Sequence, residues 1–122
     1  MNILIVDDDL TQLETLRRGL RSKGYNVLEA STGKEALNLF QDTKTDQIHL
    51  ILADYVMPEM NGLELLKKIR EKSNSLPVII MTAYVKNDLL LNIMRLNCNS
   101  IIEKPFTLNK LNGEIKKCLG IL

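Results

Sequence analysis

The chain has 122 residues, a formal net charge of +1, 45% apolar residues and 25% charged residues. That balance fits one globular domain of ordinary size, long enough to bury a core. A near-neutral charge gives no global field for nucleic acid or an anionic membrane, and no apolar run approaches the ~20 residues of a membrane span.

The N-terminus, MNILIVDDD, enters a strand pattern at once. It lacks the basic region and cleavage site of a secretory signal, so a cytoplasmic location is expected. Asn2 to Val6 reads as a short buried strand. Thr11 to Gly24 reads as a helix, with Leu13, Leu16 and Leu20 on one face and Gly24 as its stop. Tyr25 to Ala30 is a second strand. A second helix opens at Thr32, with Glu35 three residues on as a helix-start signal. Ile48 to Ala53 is the third strand, and Gly62 to Lys72 the third helix. His49 is the only histidine, which argues against a His-rich metal site or a His-dependent triad. Pro77 introduces a fourth strand, Val78 to Ala83, and Asn87 to Asn97 a fourth helix. Ser100 to Glu103 is a short fifth strand. Thr107 to Gly120 is a fifth helix, with Leu108, Leu111, Ile115 and Cys118 at helical spacing. Cys98 and Cys118 have no metal or redox spacing and read as small core residues in a reducing compartment.

Strict βα alternation means an α/β fold: a parallel sheet with helices on both faces and right-handed crossovers. Functional sites in such sheets gather at the carboxyl ends of the strands. The first strand exits into Asp7, Asp8 and Asp9, the third into Asp54, the fourth into Thr82 and the fifth into Lys104 and Pro105. One acid near a helix start is explained by capping, and Asp9 suits that role. Capping does not explain several carboxylates at one sheet edge. At an effective dielectric of ~20, two charges about 4 Å apart repel by roughly 4 kcal/mol, so a cation is the natural remedy. Oxygen-only ligands favour Mg²⁺. A metal beside a carboxylate, a lysine and a hydroxyl implies phosphoryl chemistry, with Asp54 as nucleophile and Lys104 and Thr82 meeting the phosphoryl oxygens.

Together these motifs resemble the receiver domains of two-component response regulators, the family of the chemotaxis switch protein. ILIVDDD carries the acidic pair Asp7 and Asp8, LILADYVMPEMNGLELLKKIR the acceptor Asp54, VIIMTAY the switch hydroxyl Thr82 and KPF the lysine Lys104. The resemblance covers the whole chain, so one receiver domain over 1–122 is expected. It implies a flavodoxin-like (βα)5 sandwich with strand order 2-1-3-4-5. It implies Mg²⁺ held by the carboxylates of Asp8 and Asp54, by Asp7 partly through water and by the Val56 backbone carbonyl. A cis Lys104–Pro105 bond is implied as well. The implied partners are a sensor histidine kinase or histidine phosphotransfer protein as phosphate donor, and an output domain or effector. A second copy on phosphorylation is also implied, with no nucleic acid bound directly and no membrane. No separate enzymatic activity is implied beyond the domain's own phosphorylation and dephosphorylation. The chain runs no further than the fifth helix, so no output domain is read within it.

The sequence departs from the family pattern at Val56, Asn61, Asn97 and Ile101. Val56 and Tyr84 stand where relatives influence attack by water, so a fairly long-lived acyl phosphate is expected. Asn61 replaces an acid in the tight turn before Gly62, and Asn97 replaces the glycine of a left-handed helix cap. Ile101 replaces an aromatic ring, leaving the switch to Thr82 and the loop after the fourth strand. The output surface is expected on the fourth helix, fifth strand and fifth helix. Within it, Leu89, Leu90 and Leu91 cannot all be buried by one helical face. Three rivals stand beside this reading. A flavodoxin-like electron carrier lacks a phosphate-cradling loop here, and an Asp-based phosphatase lacks a second acid at Val56. A phosphate-independent interaction module is the third, though this chain retains Asp54, Lys104 and the acidic pair.

Overall fold

Apolar strands that can hide both faces must be sandwiched between helices, and this chain does so. The computed structural model describes residues 1–42, 47–83 and 86–121. Its elements are β1 (Asn2–Val6), α1 (Leu10–Ser22), β2 (Asn26–Ala30), α2 (Gly33–Gln41) and β3 (Leu50–Asp54). They continue with α3 (Gly62–Lys72), β4 (Val78–Thr82), α4 (Asn87–Arg95), β5 (Ser100–Glu103) and α5 (Leu108–Leu119). The strands form one parallel sheet of order β2-β1-β3-β4-β5, as expected.

Alternation along each strand divides the core in two. Ile3, Ile5, Leu50, Leu52, Ile79 and Met81 face α1 and α5, where Leu13, Leu16, Leu20, Leu111 and Ile115 meet them. Leu4, Val6, Ile51, Ala53, Val78 and Ile80 face the other layer, against Leu65, Leu66 and Ile69 of α3 and Ile93 of α4. β3 and β4 are buried along their whole length. Cys98 and Cys118 are free, half-buried thiols, one packed on each core, as their reading suggested. No helix among the described residues is long and apolar enough to cross a membrane.

Most element ends follow local chemistry. Asp9 caps α1, its carboxylate accepting from the Thr11 and Gln12 N–H groups, which accounts for the third acid of the run. Asn61 is not itself the strained turn residue. It is the N-cap of α3, in a reciprocal capping box with Glu64, and the positive φ falls on Glu59 instead. Asn97 does hold the left-handed conformation after α4, at φ 61. The third strand starts later than its apolar run, at Leu50, and just before it His49 is tied to Asn2 by both its main chain and its ring. Its Nδ1 accepts from the Asn2 N–H at 2.9 Å. The strand also runs one residue further, so Asp54 is still paired, opposite Met81.

Arg70 ties the far edge together. Its Nη1 donates to the carbonyls of Ser73 at 3.0 Å and Leu76 at 2.8 Å, and its Nη2 to the Asn97 carbonyl at 2.8 Å. One guanidinium fork thus satisfies the ends of α3 and α4, where orphan carbonyls gather. α4 is otherwise lightly held: only Ile93 is fully buried, and no side chain caps its first turn. Leu89 packs on the core, whereas Leu91 is 54% and Met94 66% exposed. The leucine that stays outside is therefore Leu91, not Leu89.

Candidate functional site

Every residue expected at the strand exits is at the same sheet edge. Asp7 continues the ladder past β1, its N–H donating to the Ala30 carbonyl, and is almost completely buried. One carboxylate oxygen, Oδ1, accepts from the Asp9 N–H at 3.0 Å. The other, Oδ2, is buried without a hydrogen bond, and the Lys104 ammonium stands 3.7 Å from it. Asp54, at the end of β3, is also buried, with Oδ1 3.2 Å from Lys104 Nζ. Asp8 is exposed at the rim. One oxygen from each of Asp7, Asp8 and Asp54 lies within 4.8 Å of the others.

Thr82 ends β4 and is buried, and its carbonyl accepts the Lys104 N–H at 2.9 Å. The Lys104–Pro105 bond is cis, as the resemblance implied. Val56 lies two residues beyond Asp54 with its side chain more than half exposed. Tyr84 lies outside the described residues.

Burial and like charge dominate the electrostatics of the site. Burial pushes the Asp7 carboxyl up to about 6, and the charges of Asp54 and Asp8 push the same way. The Asp9 N–H and Lys104 oppose the shift without cancelling it. Among the described residues, Lys104 pairs with two of the three carboxylates, Asp7 and Asp54. Between Asp7 and Asp54, at up to 4.8 Å, the repulsion is roughly 3–4 kcal/mol at an effective dielectric of ~20. A buried carboxylate oxygen with no donor is a costly group, and a cation at that point satisfies it. The donor set is oxygen only, which suits a hard divalent ion. The residues present therefore fit a metal.

The chain matches the family model described as the response regulator receiver domain over residues 3–116. It belongs to that family. A chemotaxis protein CheY homolog from Campylobacter jejuni is 36% identical over 98% of this chain and 93% of its own length. The transcriptional regulatory protein ZraR of Escherichia coli is 34% identical over 98% of this chain but only 26% of its own length. Among solved structures, a response regulator receiver domain protein from Clostridium thermocellum has a TM-score of 0.91 at 28% identity, over 98% of this chain and 94% of that one. The chemotaxis protein CheY4 of Vibrio cholerae has a TM-score of 0.89 at 26% identity, over 97% and 98%. The receiver family thus occurs both as a whole protein and as a fraction of a larger one.

Two features of this receiver domain escaped the sequence. One is Gly62, which lies directly against the Asp54 main chain. The other is an apolar groove of about 610 Å³ between α1 and the segment from Lys104 to Leu111, with Leu16, Phe106 and Leu108 on its walls. Neither has a sequence signal, because both arise from how two elements meet.

Proposed function

We propose that this receiver domain, spanning residues 1–122, takes a phosphoryl group onto Asp54 from a histidine of a sensor kinase or a phosphotransfer protein. A carboxylate oxygen of Asp54 attacks phosphorus as the P–N bond to the donor's imidazole breaks. The electron pair leaves on the imidazole nitrogen, which is then protonated from water. Asp8 and Asp54 would hold Mg²⁺, with Asp7 assisting, partly through water, and the Val56 carbonyl completing the protein's share. When bound, that ion supplies charge neutralisation for the transferring phosphoryl oxygens. Lys104 binds a phosphoryl oxygen as a compact point charge, and the Thr82 hydroxyl donates to another. The observation that carries this reading is the buried carboxylate of Asp54, 3.2 Å from a lysine and clustered with two further acids.

The groove beside Lys104 suits an apolar helical segment of the donor, since it opens toward the acceptor edge at Ala83 and Lys104. Phosphorylation then shifts a two-state equilibrium toward a form in which α4, β5 and α5 engage an effector, an output domain or a second copy. The domain carries out only its own phosphorylation and dephosphorylation and serves no separate substrate. A donor that draws on ATP makes the cytoplasm the proposed compartment. Incubation with acetyl phosphate and Mg²⁺ should add one phosphoryl mass to the chain and none to Asp54→Asn. A folded chain that takes no phosphate would instead be a phosphate-independent interaction module.

A further inference from the structure

Gly62, the first residue of α3, sits against the acceptor's own main chain. A Cβ at that position would lie 2.7 Å from the Asp54 carbonyl oxygen and 3.0 Å from the Tyr55 Cα. Both are backbone atoms at the end of a fully buried strand, and the Tyr55 N–H is tied to the Met81 carbonyl at 2.8 Å. The Gly62 N–H donates to the Tyr55 carbonyl, also at 2.8 Å. Neither atom can step aside without moving the strand end. Its φ lies outside the left-handed region, so glycine is needed here for space and not for conformational freedom.

The other glycines differ. The atoms nearest a Cβ on Gly33 or Gly19 belong to a side chain, Met60 or Leu108, and one on Gly24, Gly113 or Gly120 would meet nothing within 4 Å. Among the described residues, Gly62 alone gives its missing side chain to rigid backbone.

We infer that Gly62 is a positioning residue for Asp54. The absent side chain lets α3 seat on the acceptor's main chain. That fixes the height of the carboxylate relative to Asp7, Asp8 and Lys104. Mg²⁺ tolerates little departure from octahedral geometry, and in-line transfer tolerates little displacement of the nucleophile. The inference rests on the reading that Asp54 accepts phosphate beside Mg²⁺.

The test compares wild type, Gly62→Ala, Gly33→Ala and the double variant Gly62→Ala/Gly113→Ala. Mg²⁺ affinity is measured by calorimetry, phosphorylation rate with phosphoramidate, and the unfolding midpoint in urea. Gly113 lies exposed in mid-helix, so alanine there raises stability without touching the site. Gly62→Ala should lose about tenfold or more in both Mg²⁺ affinity and rate. Gly33→Ala should stay near wild type in both. The double variant should have a higher midpoint than Gly62→Ala, because alanine replaces a mid-helix glycine, while keeping both defects. A double variant with wild-type affinity and rate overturns the inference, because the glycine would then matter only to stability. A wild-type chain that neither binds Mg²⁺ nor takes phosphate overturns the function proposed above, and this inference with it.

Discussion

The Lys104 ammonium bridges two acids, standing 3.2 Å from Asp54 Oδ1 and 3.7 Å from Asp7 Oδ2. It is a single cation shared by two buried carboxylates, and it is a quarter exposed itself. It therefore competes with a metal for the same charge. Lys104→Met should raise Mg²⁺ affinity several-fold while lowering metal-free stability by about 1 kcal/mol, a value reduced for that exposure. Phosphorylation should slow in the same variant. Calorimetric titration beside urea unfolding checks both directions, and weaker Mg²⁺ binding would refute the competition.

Asp7 sets a pH dependence whose sign follows from its position. Its carboxyl is pushed up to about 6 from 3.8, chiefly by burial. The folded chain then holds the proton more tightly than the unfolded chain between those values. The contribution of this group to stability is fully present below about pH 4 and is lost as pH rises through about 6, by up to about 3 kcal/mol. A cation that favours the ionised form should remove the slope. Urea midpoints across this range, with and without Mg²⁺, should show a decline only in the metal-free series, and Asp7→Asn should flatten it.

Asp8 is the exposed member of the cluster. Asp8→Ala should weaken Mg²⁺ binding strongly, since a hard ion loses a charged ligand. It should also raise metal-free stability slightly by relieving repulsion on the buried pair. Unchanged Mg²⁺ affinity would remove Asp8 from the ligand set.

The exposed pair Leu91 and Met94, one turn apart on α4, marks the place to test for output. Leu91→Glu and Met94→Glu should weaken association of the phosphorylated chain and leave Mg²⁺ binding unchanged. Leu89→Glu is the wrong probe, because Leu89 packs on the core and its loss would destabilise the fold. Sedimentation of the phosphorylated variants decides the matter: association that ignores both outward residues excludes this face.

Arg70 should be a strong stability determinant far from the site. Arg70→Met leaves the carbonyls of Ser73, Leu76 and Asn97 without their donor. A loss of about 1–3 kcal/mol follows, mainly from the half-buried carbonyls of Ser73 and Leu76, since water reaches the exposed Asn97. Urea unfolding measures it, and a loss within the range of ordinary surface substitutions would deny the clamp its role.

The fold was legible because each strand is a short apolar run and each helix carries an apolar stripe, so the change of period marks every element, though β3 is shifted at both ends. Capping residues sharpened the boundaries at Asp9 and Thr32, where a side chain accepts a helix N–H. The acids and lysine at the strand exits were legible for the same topological reason, since parallel strands put their ends on one edge. The contact of Gly62 with Asp54 was not legible, nor was the fork of Arg70. Both depend on the distance between elements that the chain order leaves open. The burial of Leu89 rather than Leu91 was equally hidden, because three consecutive leucines fix no helical phase.

On the proposed function, Asp54 carries the phosphoryl group. Borohydride reduces an aspartyl phosphate to homoserine, so trapping followed by peptide mass spectrometry locates it. After treatment with acetyl phosphate and Mg²⁺, homoserine should appear at position 54, with Asp7, Asp8 and Asp9 intact. Homoserine at another aspartate, with position 54 unreacted, would exclude Asp54 as the acceptor.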